Sequence, residues 1–313
     1  MVKIAVIGVG GWGKNHARVL SELNALNAIC DTDQQRAEAF AGKYGVNWYT
    51  SVDELLKNEK PDGVVISTPT VTHFAIAKQV MEKRINALVE KPMTPSSAES
   101  EQMVTMSKRN NVVLTTGYIE RFNPAVNDVK SFIKEKKYGD VLMLEFHREN
   151  RMPLNIQDVG IIYDTSVHDI DTALYLSEDK PNIVFARAGS TTGVHEDFAA
   201  IILGFKNQKI AFIATNWITP KRVRTFTIVC TNAIITGDFI TQEIRIDQEG
   251  EKTITPTREF KEPLTLELRN FLDAINGKTK PLVSADDALN ATRVAEAALL
   301  SSKTGSQIYL DLK

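Results

Sequence analysis

Three groups of residues in this sequence have types and spacings that can do chemistry. The first is Gly8-Val9-Gly10-Gly11-Trp12-Gly13, a G-x-G-x-x-G run that follows an apolar stretch and opens an amphipathic one. In that context the first glycine permits a tight turn and the second lets the backbone approach a pyrophosphate. The third lets a helix pack closely on a strand, and the helix N-terminus offers free N–H groups to phosphate. Asp31 ends the next apolar stretch, where a carboxylate hydrogen-bonds ribose hydroxyls and repels a 2′-phosphate. No Lys or Arg follows it until Arg36, so the pattern favours NAD over NADP. The second group is Glu90-Lys91-Pro92 at the end of another apolar run. A lysine buried near a cofactor can act in proton transfer or polarise an oxygen; the alternative is an ordinary surface lysine. The third is Asp164 and His168, four positions apart on an expected helix and therefore on one face. Imidazole suits proton exchange near neutral pH and a carboxylate can orient it or a hydroxyl; the alternative is a surface ion pair. Oxidation of a secondary alcohol needs such a base together with a hydride acceptor.

The elements that must position these groups follow from the hydrophobic rhythm. Up to about residue 121, short unbroken apolar runs (Lys3–Ile7, Ala28–Cys30, Gly63–Ser67, Ala87–Val89, Val112–Thr115) alternate with amphipathic stretches, one opened by a capping-box pattern at Ser51. Strands buried on both faces alternating with helices imply a doubly wound parallel sheet, a Rossmann domain over residues 1–121. Beyond it the rhythm changes to helices over Pro124–Lys137 and Ile161–Leu176 and a run of strands, the last of them Ile240–Ile246. Residues 122–313 therefore read as an α+β domain with an open-faced, mostly antiparallel sheet for substrate binding and oligomerisation. The final helix and strand are expected to pack back on the first domain.

Composition narrows the class. The chain has 313 residues, 43% of them hydrophobic, and a formal net charge of −2, which argues against nucleic acid or an anionic membrane as the main partner. Two cysteines form neither a disulfide framework nor a zinc-ligand set, and there is no H-E-x-x-H, so no metal is expected. No G-x-S-x-G elbow is present. No apolar run approaches the ~18 residues of a membrane span, and the start has no signal-peptide pattern, so a cytoplasmic location is expected. His16, His147 and His195 have no partner spacing and read as structural.

Three motifs together carry a family resemblance. Ser67-Thr68-Pro69-Thr70-Val71-Thr72-His73, then Val89-Glu90-Lys91-Pro92, then the G-x3-D-x3-H run Gly160 to His168 resemble the glucose–fructose oxidoreductase / inositol dehydrogenase / rhizopine-catabolism (Gfo/Idh/MocA) family, along the whole chain. The resemblance implies NAD-dependent oxidation of CH–OH groups in a sugar or sugar nucleotide, with Lys91, Asp164 and His168 as catalytic residues. It implies that Ser67, Thr68, Pro69, His73, Glu90 and Lys91 join Gly8, Val9, Gly10, Gly11, Trp12, Gly13 and Asp31 at the cofactor. It further implies a cis Lys91–Pro92 peptide and homodimers or homotetramers formed through the C-terminal sheet. Tyr118-Ile119-Glu120-Arg121-Phe122-Asn123-Pro124 looks most like the branch that oxidises UDP-N-acetylhexosamines at C3, with UDP-N-acetylglucosamine as the leading substrate. On that reading Tyr118, Arg121 and Asn123 contact the substrate, Trp217 stacks on a ring, and Arg222 and Arg224 take a diphosphate, for which arginine has bidentate geometry. A free-sugar or inositol dehydrogenase, a non-catalytic dinucleotide-binding regulator and a glycosidase that recycles NAD are the alternatives.

Overall fold

The structure, a computed structural model, describes residues 2–152, 158–250, 253–257 and 259–312. The chain divides into two compact units, Met1–Tyr118 with Leu264–Leu289, and Ile119–Pro263 with Asn290–Lys313.

In the first unit, β1 (Ile4–Ile7), α1 (Gly13–Glu22), β2 (Leu26–Cys30), α2 (Gln34–Tyr44), β3 (Asn47–Tyr49), α3 (Val52–Glu59), β4 (Gly63–Ile66), α4 (His73–Glu82), β5 (Asn86–Val89), α5 (Ser97–Asn110) and β6 (Leu114–Thr116) alternate along the chain. The strands form a parallel sheet in the order β3-β2-β1-β4-β5-β6. Every residue of β1 and β4 is buried, as strands covered on both faces must be. The sequence gives no apolar signal for β3, whose Asn47 and Trp48 are exposed. Ser51 stands at the N-cap of α3 as its pattern suggests, but its side chain makes no capping bond.

The second unit begins with α6 (Pro124–Lys134), β7 (Val141–Glu149), a π-helical turn over Ile162–Ser166 and α7 (Val167–Ser177). It continues with β8 (Pro181–Gly189), β9 (Phe198–Phe205), β10 (Ile210–Asn216), β11 (Val223–Cys230), β12 (Ile234–Asp238) and β13 (Ile244–Asp247). Then come α8 (Pro263–Ile275), α9 (Ala285–Thr304) and β14 (Ile308–Tyr309). The second sheet runs β13-β12-β11-β7-β10-β9-β8-β14, antiparallel except for the β7–β10 pair. Helices α6 and α7 lie against one face. The other face leaves Phe185, Phe198, Ile202 and Ile210 exposed, and burial alternates along β9 and β10 accordingly.

Three expectations are corrected. The second domain is not one continuous piece from 122: the contact boundary lies at Tyr118/Ile119, and Leu264–Leu289 returns to the first unit. Helix α8 is drawn there by its apolar face, since Phe271 and Ile275 close on Gly63 of β4 and Thr115 Oγ1 donates to Val283 O at 2.8 Å. The final strand, β14, belongs to the second sheet, where it pairs with β8 and supplies partners to that edge. The strand expected from Ile240 starts at Ile244, because Asp238 Oδ1 accepts the N–H groups of Ile240 and Thr241 and turns the chain. Among the described residues no helix is long and apolar enough to cross a membrane.

The closure of α8 on the sheet has a direct test. A Cβ on Gly63 would lie 2.8 Å from Ile275 Cδ1 and 3.0 Å from Ile4 Cδ1. Gly63→Ala should therefore lower stability by about 1–3 kcal/mol in chemical denaturation, as overpacking does; an unchanged midpoint would remove this account of the helix's seat.

Candidate active site

The glycine run forms the turn between β1 and α1. Gly8 has φ +85°, and a Cβ there would lie 2.5 Å from Ser67 O. A Cβ on Gly13 would overlap the Gly8 carbonyl, so only glycine lets α1 start this close to β1. Around Gly10 the one neighbour a Cβ would meet is the Arg36 guanidinium at 3.6 Å, which leaves the backbone open to a ligand. Trp12 occupies the N-cap of α1 without a capping bond, and the first turn carries no acidic residue. Its N–H groups are thus suited to an anion. Val9 is buried, whereas Gly11 and Trp12 are exposed.

Asp31 is buried at the end of β2. Its Oδ2 accepts the Val9 N–H at 2.9 Å and its Oδ1 the Asp33 N–H at 3.0 Å. A carboxylate has about four lone-pair sites, so acceptor capacity remains for ribose hydroxyls. The first turn of α2 also brings Arg36 back, with Nη1 3.4 Å from Asp31 Oδ2 and Nη2 donating to Asp33 at 2.8 Å. The sequence reading counted Arg36 as remote; one helical turn makes it a neighbour. These glycines, the uncapped helix and the carboxylate fit a dinucleotide.

The loops after β4 and β5 are tied to one another. His73 is buried, with Nδ1 3.0 Å from Pro92 O and Nε2 3.0 Å from Thr68 O. Burial pushes its imidazole toward the neutral form. Its ring lies between the Ser67-Thr68-Pro69 loop and the Lys91–Pro92 loop, and in the neutral form its single N–H donates to one of the two carbonyls. The Lys91–Pro92 peptide is cis and Lys91 is half-buried. Glu90 Oε2 accepts the Lys91 backbone N–H at 3.0 Å, and Oε1 lies 2.6 Å from His16 Nε2. His16, on α1, is therefore a partner in this site and not an isolated core residue. Glu267 on α8 was missed entirely: it is wholly buried, and burial together with the Glu90 charge pushes its carboxyl well above the usual range.

In the second unit, Asp164 and His168 do not share one α-helix, because Asp164 belongs to the π-helical turn and His168 to α7. From Ile161 to Ile170 they are nonetheless the two residues that are not buried. Thr165 Oγ1 donates to Asp164 Oδ2 at 3.0 Å and accepts from Trp217 Nε1 at 3.0 Å. Trp217 is buried, so it orients the Asp164 carboxylate through Thr165 instead of stacking on a ring. The start of the turn is held by Glu196, whose carboxylate accepts the Ile162 N–H at 3.3 Å and occupies the space a Cβ on Gly160 would fill.

The expected substrate contacts divide. Tyr118 is buried. Arg121 forms a bidentate pair with Asp171 at 2.7–2.8 Å and lies over the Tyr175 ring. Asn123 caps α6 through Ala125 N–H and donates to Phe239 O. We move Arg121 and Asn123 to the scaffold, since their polar groups have internal partners. Arg148, which sequence reasoning passed over, is buried in β7 and pairs with Asp169 and Glu120 at 2.8–3.0 Å. Its inward register on an alternating strand was the missed signal. Arg224 sits opposite Arg148 on β11. Burial, Arg148 and Arg222 lower its pKa to about 10, and its Nε has no hydrogen-bond partner among the described residues. Arg222 is exposed.

With this geometry in hand, comparison with known proteins is informative. A family model described as an oxidoreductase family with an NAD-binding Rossmann fold matches residues 2–118, and one for the GFO/IDH/MocA C-terminal domain matches residues 126–236. The chain is 27% identical over 307 residues to UDP-N-acetylglucosamine 3-dehydrogenase of Acidithiobacillus ferrooxidans, covering 95% of each. A solved structure of that enzyme matches with a TM-score of 0.89 at 25% identity, over 97% of this chain and 98% of the other. The scyllo-inositol 2-dehydrogenase (NAD(+)) of Bacillus subtilis is 29% identical over 334 residues, covering 100% of this chain and 97% of its own length.

The position of Arg36 predicts the effect of removing it. Its positive charge offsets Asp31, so Arg36→Ala should widen the preference for NAD over NADP in calorimetric affinities, on the order of a few-fold for a half-exposed pair. A narrowed preference would mean that Arg36 does not act on the ribose end.

Proposed function

We propose, on the premise that the chain belongs to the GFO/IDH/MocA oxidoreductase family, that its substrate is a nucleotide-linked sugar, best met by UDP-N-acetylglucosamine oxidised at C3. The coarser activity is that of an NAD-dependent dehydrogenase acting on sugar hydroxyls. The chemistry that NAD supplies when bound is acceptance of a hydride from a secondary carbinol. Gly8–Gly13 and Asp31 are the residues assigned to hold its pyrophosphate and adenosine ribose. Lys91 is assigned to polarise the substrate oxygen and His168 to accept the hydroxyl proton. Asp164, held by Thr165 and Trp217, orients that exchange.

The observation that carries the nucleotide reading is Arg224. A half-buried guanidinium whose Nε has no hydrogen-bond partner among the described residues, beside the exposed Arg222, is suited to completion by an anion. A diphosphate has the charge and the acceptors to do so, whereas a neutral polyol has only hydroxyl groups. The name of the Acidithiobacillus relative supports the same substrate. The scyllo-inositol relative favours the second reading, a free polyol.

The two readings separate by ligand protection. UDP should raise the thermal midpoint and free N-acetylglucosamine should not. Arg224→Ala should weaken UDP binding roughly 10-fold or more, the usual cost of a charge-assisted hydrogen bond, with NAD affinity unchanged. Protection by inositol but not by UDP would transfer the enzyme to the polyol dehydrogenases.

The exposed apolar face of the second sheet is assigned to contact with further copies of the chain, as a homodimer or homotetramer. Ile202 and Phe198 lie on it beside Phe185 of the paired strand. Light scattering should show an oligomer that Ile202→Arg disrupts; a monomeric wild-type protein at micromolar concentration would contradict the assignment.

A further inference from the structure

The π-helical turn that carries Asp164 is held at both ends by one dipeptide, Glu196-Asp197, just ahead of β9. Glu196 grips its start. The backbone carbonyl of Glu196 accepts the Ile161 N–H at 2.9 Å, and its carboxylate accepts the Ile162 N–H at 3.3 Å. A helix start leaves such N–H groups without partners of its own, and here a residue from a distant stretch of chain caps two of them. Gly160 provides the seat. A Cβ there would overlap the Glu196 carboxyl group. Gly160 does not have a positive φ, so what its missing side chain supplies is room for that carboxylate and not backbone freedom.

Asp197 grips the far side through Trp217. Its carbonyl accepts the Trp217 N–H at 2.8 Å, and the Trp217 indole then reaches Asp164 by way of the Thr165 hydroxyl. Asp197 is itself buried and fixed. Its N–H donates to Gly189 O at 2.9 Å, and its carboxylate accepts the Thr191 N–H at 2.9 Å together with the Thr191 hydroxyl. Ser166 adds a third tie, its Oγ 2.7 Å from Thr215 Oγ1 on β10. The bonds therefore close a loop from Glu196 through the turn to Asp164, Thr165, Trp217 and back to Asp197. π-helical turns are rare and recur as single turns at functional sites. In this one the cross-ties converge on the carboxylate assigned to the proton exchange.

We propose that Glu196 is a positioning residue for the reaction: seated in the space that Gly160 leaves, it fixes the turn that aims Asp164, and its loss slows the chemical step without weakening the binding of sugar or cofactor. A group that acts only on the aim of a reacting side chain lowers kcat and leaves KM in place. The proposal rests on the assignment of Asp164 to the proton exchange and not on which sugar is oxidised.

The test is the rate of nicotinamide reduction on whichever of UDP-N-acetylglucosamine, N-acetylglucosamine and scyllo-inositol the wild type oxidises fastest. Glu196→Ala should lower kcat roughly 10²-fold, the cost of misplacing a reacting group by about 1 Å, with the KM for sugar and the Kd for NAD unchanged. Glu196→Gln keeps an oxygen for the Ile162 N–H and should recover most of the rate. Because Glu196 acts through Asp164, adding Glu196→Ala to Asp164→Asn should cost little beyond Asp164→Asn alone. A near wild-type rate in Glu196→Ala, or losses that multiply in full in the double variant, would overturn the proposal and leave the role of Asp164 standing. A near wild-type rate in Asp164→Asn would remove both. Hydrogen exchange on the full-length protein reads the same contact without turnover. Protection of the Ile161 and Ile162 amides should fall in Glu196→Ala and persist in Glu196→Gln; unchanged protection in Glu196→Ala would sink the proposal by itself.

Discussion

A side chain on Gly13 would overlap the carbonyl of Gly8, and one on Gly8 would crowd Ser67 O. This close approach of backbone to backbone sets where α1 starts and how near it lies to the parallel sheet. Much of the first unit's site follows from it. The uncapped first turn is aimed by it, Asp31 fastens the same turn through Val9 N–H, and His16, less than one helical turn beyond Gly13, reaches Glu90. Glu90 in turn holds the Lys91 N–H, and His73 lies between the Lys91–Pro92 loop and the loop after β4. A glycine turn usually described as a phosphate cradle is here also the first link in the chain that positions Lys91.

The second unit is organised by another constraint, the cost of buried charge. Arg148 and Arg121 are withdrawn from water and each is matched by carboxylates, Asp169 and Glu120 for one and Asp171 for the other. Removing one partner from such a pair commonly costs about 3–5 kcal/mol, because the remaining charge is stranded. The pairs come from β7, α7 and the segment ahead of α6, so they fix α7 and the π-helical turn against the sheet. Arg224, opposite Arg148 on β11, differs from both: its Nε has no hydrogen-bond partner among the described residues.

Local chemistry was legible in the sequence where it is local in space. The glycine run, the unbroken apolar strands of the parallel sheet and Asp31 follow from nearest neighbours and strand period, and they are found where that reading puts them. Features made by long-range return were not legible. Glu267 reaches Glu90 only because α8 rejoins the first sheet, and nothing in its own neighbourhood announces a partner 177 positions away (267 − 90). Arg121 read as a substrate contact because the Tyr118–Pro124 segment resembles the sugar-nucleotide branch; Asp171, on another helix, occupies it. The π-helical turn at Asp164 escaped for a different reason, since one extra residue in a turn leaves the hydrophobic pattern almost intact while Glu196 and Gly160 fix the geometry.

The central claim is that this chain oxidises a sugar-nucleotide hydroxyl with Lys91 acting on the reacting oxygen. The most direct measurement is the initial rate of nicotinamide reduction with UDP-N-acetylglucosamine and NAD, followed by absorbance, for the wild type and Lys91→Ala at equal NAD saturation. The account predicts turnover by the wild type and a loss of roughly 10²–10⁴-fold in the variant, the scale of removing a general acid–base group. Lys91→Ala turning over near the wild-type rate would contradict it.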